Sequence, residues 1–167
     1  MELEHIKIKT IRYTNYLIDY KTNEKYFPDI MLNFIETENV FLTICLIADK
    51  DNQNNIPKSL DSIHSNMLNM KQEGYNHNSL IIVIFDGIDY MNETIYRLFF
   101  NKFNLKRKPK LNENFVYMNL YKYGELKILL LIKENRKTKA DSLLWFYRVS
   151  NLLIPEFVMI LDADVVP

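Results

Sequence analysis

Leu80-Ile81-Ile82-Val83-Ile84-Phe85-Asp86-Gly87 decides how the rest of the chain reads. Six consecutive apolar residues, most of them β-branched, predict a short strand buried on both faces, and such strands belong to parallel sheets covered by helices. The run stops at a carboxylate and a glycine, the pair that turns a chain. Working outward, the same pattern recurs. Val40 to Ala48, Leu126 to Ile132 and Phe157 to Leu161 are further apolar runs, and each ends in polar residues.

The intervals between these runs carry helical signals. Pro57 occupies a first helical position, Leu60, Ile63, Met67, Leu68 and Met70 recur at helical spacing, and Gly74 closes the segment. A second helix is predicted over residues 93–103. A third is predicted from Thr138 to Leu153, with Leu143, Leu144, Tyr147 and Leu152 available for its core face. Val116 to Tyr123 reads as an alternating strand turned by Gly124. Residues 1–36 read as a lead-in with weak strand-like alternation over 6–11, and residues 37–167 as the domain itself. Strand and helix alternate, so the expected class is α/β, Rossmann-like, with a mostly parallel sheet covered on both faces.

Composition narrows the functions. The chain has 167 residues, 48% of them hydrophobic, and 21 basic residues balance 21 acidic ones. That is enough apolar material for one packed core, and the even charge does not advertise nucleic acid. A single cysteine, Cys45, lies within an apolar run, where it reads as a small buried hydrophobe. His5, His64 and His77 have no metal-ligand spacing. No apolar run approaches the roughly 20 residues that span a bilayer, and Met1 to His5 is not a signal peptide, so the 167 residues are expected to be soluble.

Ligands of an open parallel sheet bind beyond the carboxyl ends of its strands. Those ends deliver Asp49 with Asp51, then Asp86 with Gly87, then Lys133 to Arg136, then Asp162 with Asp164. Each piece also has a plain structural reading. Asp49 and Asp51 suit a loop that caps a helix, Asp86-Gly87 a turn, and Lys133 to Lys139 a solvated charge run. Trp145 reads as core or as a platform for sugar stacking. In order on one rim, the pieces instead suit a nucleotide and its metal. Asp162 and Asp164, two positions apart on extended chain, point the same way and offer the hard oxygen donors that Mg²⁺ or Mn²⁺ takes. Asp86 can accept from a uracil N–H or a ribose hydroxyl while Gly87 permits close approach. Lys139 opens a helix and can meet phosphate there.

These residues, in this order, resemble the chitin synthases of glycosyltransferase family 2. Thr10-Ile11-Arg12-Tyr13-Thr14 is similar to an Arg-Tyr-Thr segment ahead of their catalytic domain. Leu80 to Gly87 resembles their strand ending in Ser-Asp-Gly, with Phe85 in place of Ser. The longest block, Lys133-Glu134-Asn135-Arg136-Lys137-Thr138-Lys139-Ala140-Asp141-Ser142-Leu143-Leu144-Trp145-Phe146-Tyr147, is similar to their Lys-Glu-Lys-Asn-x-Lys-Lys-x-Asn-Ser-His-x-Trp-Phe-Phe. Leu161 to Pro167 fits their Leu-Asp-x-Gly-Thr-x-Pro. The block departs at Leu143, where the family has His. Asp164 replaces the common Gly and looks more like the Asp-x-Asp of cellulose and hyaluronan synthases, which leaves the acceptor polymer open between them.

The resemblance covers the front half of that catalytic domain. It implies a GT-A fold, a UDP-N-acetylglucosamine donor, and transfer of N-acetylglucosamine to a growing chitin chain with inversion, assisted by Mg²⁺ or Mn²⁺. By position, Asp86 and Gly87 would hold the uridine, Lys139 the diphosphate, Asp162 and Asp164 the metal, and Asp49 would lie near the nucleotide. The general base is expected beyond Pro167, so no catalytic residue is assigned here and the chain is not expected to polymerise alone. In a full-length synthase this part would lie at the cytoplasmic face of the plasma membrane, anchored by later helices. Two other readings are an inert fragment, whose exposed last strand would invite pairing, and a phosphatase- or receiver-like domain. The latter lacks a Gly-rich phosphate loop and an Asp-x-Asp-x-Thr motif.

Overall fold

The computed structural model describes residues 16–19, 39–100, 115–133 and 138–163. The alternation expected over 6–11, the Thr10 to Thr14 block, the basic stretch at 106–110, residues 134–137 and Asp164 lie outside them.

The elements follow in the order β1 (Tyr16–Asp19), β2 (Leu42–Ala48), α1 (Ile56–Gln72), β3 (Ser79–Phe85), α2 (Glu93–Phe100), β4 (Phe115–Tyr123), β5 (Leu126–Lys133), α3 (Lys139–Leu153) and β6 (Phe157–Asp162). Pro57 falls in the first turn of α1. That helix ends where the Gly74 and Tyr75 amides donate back to the Lys71 and Met70 carbonyls, the crossed pair that closes a helix C-terminus.

The strands form one sheet in the order β1-β4-β5-β3-β2-β6. β5, β3, β2 and β6 are mutually parallel, while β4 and β1 extend the sheet antiparallel at one side. The lead-in therefore contributes a strand to the sheet. The β4–β5 connection is a two-residue turn at Gly124-Glu125. Gly124 takes φ +56°, and a Cβ there would lie 2.6 Å from the His64 Nε2, so both backbone and space require glycine.

Two cores cover the sheet. On one face Ile44, Leu46, Ile81, Val83, Ile128 and Leu130 pack under Leu60 and Ile63 of α1 and Ile95 and Phe99 of α2. On the other, Cys45, Ile47, Ile82, Ile84, Leu129 and Leu131 pack under α3. The chain steps one way from β2 to β3 to β5, then reverses to reach β6. The covering helix changes face at that reversal, as right-handed crossovers demand.

The face of α3 corrects the expectation from apolar spacing. Trp145, Phe146, Val149 and Leu153 are buried, whereas Leu144 and Tyr147 are 54% and 46% exposed. Thr138 caps α3 by accepting from the Asp141 amide, and Asp141 is tied to the rim by Lys133. This fixes a rotation that buries the larger aromatic surfaces. Met70 of α1 is likewise exposed. β6 is one of the two edge strands of the sheet among the described residues, and Phe157, Val158, Met159 and Ile160 are 40–57% exposed. No helix among the described residues is long and apolar enough to cross a membrane.

Candidate functional site at the carboxyl rim

A strand fixes its side chains by parity, and parity places the rim residues. On β3, Leu80, Ile82 and Ile84 face α3, and Asp86 continues that set. On β5, Leu129 and Leu131 face α3, and Lys133 continues it. Register pairs Asp162 of β6 with Ile47, another residue of the α3 face. Three strands thus send polar side chains beneath the first turn of α3, and that turn adds Lys139 and Asp141.

They form two clusters. In the first, the Lys133 ammonium lies 2.6 Å from Asp86 Oδ1 and donates at 2.8 Å to Asp141 Oδ2. Lys133 is 3% exposed and Asp86 6%, so the ions are almost out of water. Such ions persist only when paired and hydrogen-bonded. In the second cluster Lys139 donates to Asp162 Oδ1, and both side chains are open to solvent. Cys45 lies beneath this pair. Its thiol is pushed up to about 12, first by burial and then by the Asp162 carboxylate, with Lys139 acting the other way.

The two clusters stand apart because β3 and β6 flank β2. At about 4.8 Å per strand, that is a separation of roughly 10 Å. The order of the parallel strands reverses at β2, so the crevice between β2 and β6 is the topological switch point of the sheet. Asp49 follows β2 there. Its Oδ1 accepts from the Asp51 and Asn52 amides, and its own amide donates to Asn52 Oδ1. Asp49 Oδ1 therefore shapes the loop after β2, and neither that turn nor α1 takes a side-chain cap from it. Gly87 takes φ +104°, a conformation that favours glycine, and lets the chain leave β3 sharply.

Sequence reasoning passed over Gln53. It is buried, and its amide donates to the Lys50 and Tyr90 carbonyls while its oxygen accepts from the Asn92 amide. Asn92 in turn accepts from the Ile95 amide at the start of α2 and donates to Asn54. One side chain thus clamps the loop after β2 to the loop after β3. No periodicity signals it, because its partners lie 37 and 39 residues away. The ion pair of Asp141 with Lys133 becomes visible only in three dimensions.

Among the described residues no group of three or more His, Cys, Asp or Glu side chains converges on one point. Asp162 is the described member of the expected metal pair. Trp145 is buried against the sheet and stacks with the Arg148 guanidinium, which fits the core reading. No family model matches the chain, and no curated protein matches it. The class that fold and topology define is an α/β domain with a Rossmann-like, mostly parallel sheet.

Proposed function

We propose that this rim is the donor site of a GT-A nucleotide-sugar transferase of family 2, with a chitin synthase as the particular kind and UDP-N-acetylglucosamine as donor. The observation that carries the reading is the spacing of two unlike clusters across β2. A buried acceptor cluster at Asp86 and an open Lys139–Asp162 pair lie roughly two strand spacings apart. A nucleoside diphosphate has the same polarity, with a base that offers N–H donors at one end and an anion at the other.

In this reading Asp86 accepts from the base, and Gly87 lets the ring approach the backbone. Lys139 meets the diphosphate, assisted by the amides at the N-terminus of α3. Asp162, a half-exposed carboxylate, has the hard oxygen chemistry that suits Mg²⁺ or Mn²⁺, and Asp164 would be its companion. The bound ion would neutralise charge on the departing diphosphate. Lys139 would turn from Asp162 to phosphate, and Asp162 would then be available to hold the cation. The acceptor, a growing chitin chain, would be served by groups outside this sequence.

Thermal unfolding with and without UDP and Mn²⁺ tests the reading. A ligand that binds only the folded chain raises the melting temperature, by the equivalent of about 2.7 kcal/mol at a concentration 100 times Kd. No shift with UDP, UDP-N-acetylglucosamine or Mn²⁺ would refute the donor-site reading and favour an inert fragment.

A further inference from the structure

We infer that Lys133 and Asp141 are positioning residues for the base end of the site, and that they make it selective for a heterocycle with a ring N–H donor. The inference rests on the donor-site reading and deepens it.

The geometry is that of a tether. Asp86 lies at the end of β3 and Lys133 at the end of the neighbouring parallel strand β5, both on the α3 face. Lys133 alone would leave a long, rotatable side chain to find its own place. Asp141 removes that freedom by taking a second ammonium hydrogen at 2.8 Å. Asp141 is itself fixed, since its amide donates to the Thr138 hydroxyl that caps α3. The orientation of Asp86 is therefore set through Lys133 and Asp141 by the start of a helix.

This arrangement has a chemical consequence. An ionised carboxylate accepts hydrogen bonds and cannot donate. Lys133 pairs with both carboxylates, so Asp86 meets a ligand edge as an acceptor and disfavours one that presents a lone pair to it. Uracil presents a ring N–H where cytosine presents a lone pair. A site built to pair a polar edge rejects the analogue that lacks the matching group far more strongly than an apolar pocket rejects a change of size. Asp162 lies on another strand, and among the described residues no ion pair joins the Lys139–Asp162 pair to this cluster. Base and diphosphate are thus read by separate groups.

The test is isothermal titration of the full chain with UDP, with CDP and with pyrophosphate, each with Mn²⁺, for wild type, Asp141→Ala, Asp141→Asn and Lys133→Met. Circular dichroism checks that each variant is folded. Wild type should bind UDP at least about tenfold more tightly than CDP. Asp141→Ala and Lys133→Met should lose about tenfold for UDP, one hydrogen bond to a charged group, while pyrophosphate stays within about twofold. Asp141→Asn keeps an acceptor for Lys133 and should restore UDP binding. If Lys133→Met does not fold, the Ala and Asn variants of Asp141 decide alone. Equal losses for UDP and pyrophosphate would reduce the pair to a structural role and overturn the inference. Unchanged UDP binding in Asp141→Ala would also overturn it. A wild type that binds UDP and CDP alike defeats the selectivity, and one that binds neither UDP nor pyrophosphate defeats the donor site and this inference with it.

Discussion

Replacing Lys133 by Met removes one cation from between two carboxylates, and burial sets the cost. Lys133 and Asp86 are 3% and 6% exposed, whereas the Asp141 side chain retains 24% of its exposure. Breaking a buried pair by deleting one partner costs about 3–5 kcal/mol, because the remaining ion loses its countercharge away from water. Asp141 can rehydrate in part, so the expected loss lies at the lower end, about 3–4 kcal/mol. A domain holds roughly 5–15 kcal/mol in all, so the variant should fold but with a narrow margin. In urea, with a slope near 2 kcal/mol per molar, the midpoint should fall by roughly 1.5–2 M. Adding Asp86→Asn to Lys133→Met removes the carboxylate that lost its ammonium and should recover about 2 kcal/mol, so the double variant is more stable than the single one. A loss below about 1 kcal/mol, the range of exposed ion pairs, or no recovery on adding Asp86→Asn, would refute the view that this cluster is buried and coupled.

Other perturbations test separate parts of the fold. Cys45 is raised from 9.0 to about 12 by burial, so the folded chain keeps a proton that the unfolded chain releases. Its contribution to stability is whole below pH 9.0 and is lost as the pH rises toward 12, at about 1.4 kcal/mol per pH unit. Alkaline denaturation of wild type and Cys45→Ala should therefore diverge above pH 9.0, and parallel curves would contradict this. Gly124→Ala should cost about 1–2 kcal/mol from the backbone alone. It should cost less in a His64→Ala background, where the ring that a Cβ would strike is gone; equal costs in both backgrounds would remove the contact from the explanation. Gln53→Ala removes the bonds to the Tyr90 carbonyl and the Asn92 amide and should cost about 2–3 kcal/mol. Amide exchange should quicken over residues 87–92, and unchanged protection there would refute the clamp. Ser142 is buried with its hydroxyl unbonded among the described residues, so Ser142→Ala should be neutral or stabilising by up to about 1 kcal/mol; a clear loss of stability would reveal a partner.

What the sequence by itself determined was the succession of elements. Apolar runs such as Leu80 to Phe85 are strands because only a sheet covered on both faces can bury every side chain of so short a segment. Pro57, Gly74 and Thr138 marked helix boundaries because caps and turns are local chemistry, settled within a few residues. The residues delivered to the rim, Asp49, Asp86, Lys133 and Asp162, were legible for the same reason: each ends a strand. Tertiary structure decided who meets whom. The antiparallel addition of β4 and β1, the face that α3 buries and the clamp by Gln53 depend on partners far along the chain. So does the grouping of five charges into an Asp86–Lys133–Asp141 cluster and a separate Lys139–Asp162 pair. A linear pattern fixes periodicity and parity, but the rotation of a helix and the pairing of ions are set by packing and desolvation, which exist only once the sheet has closed over its two cores.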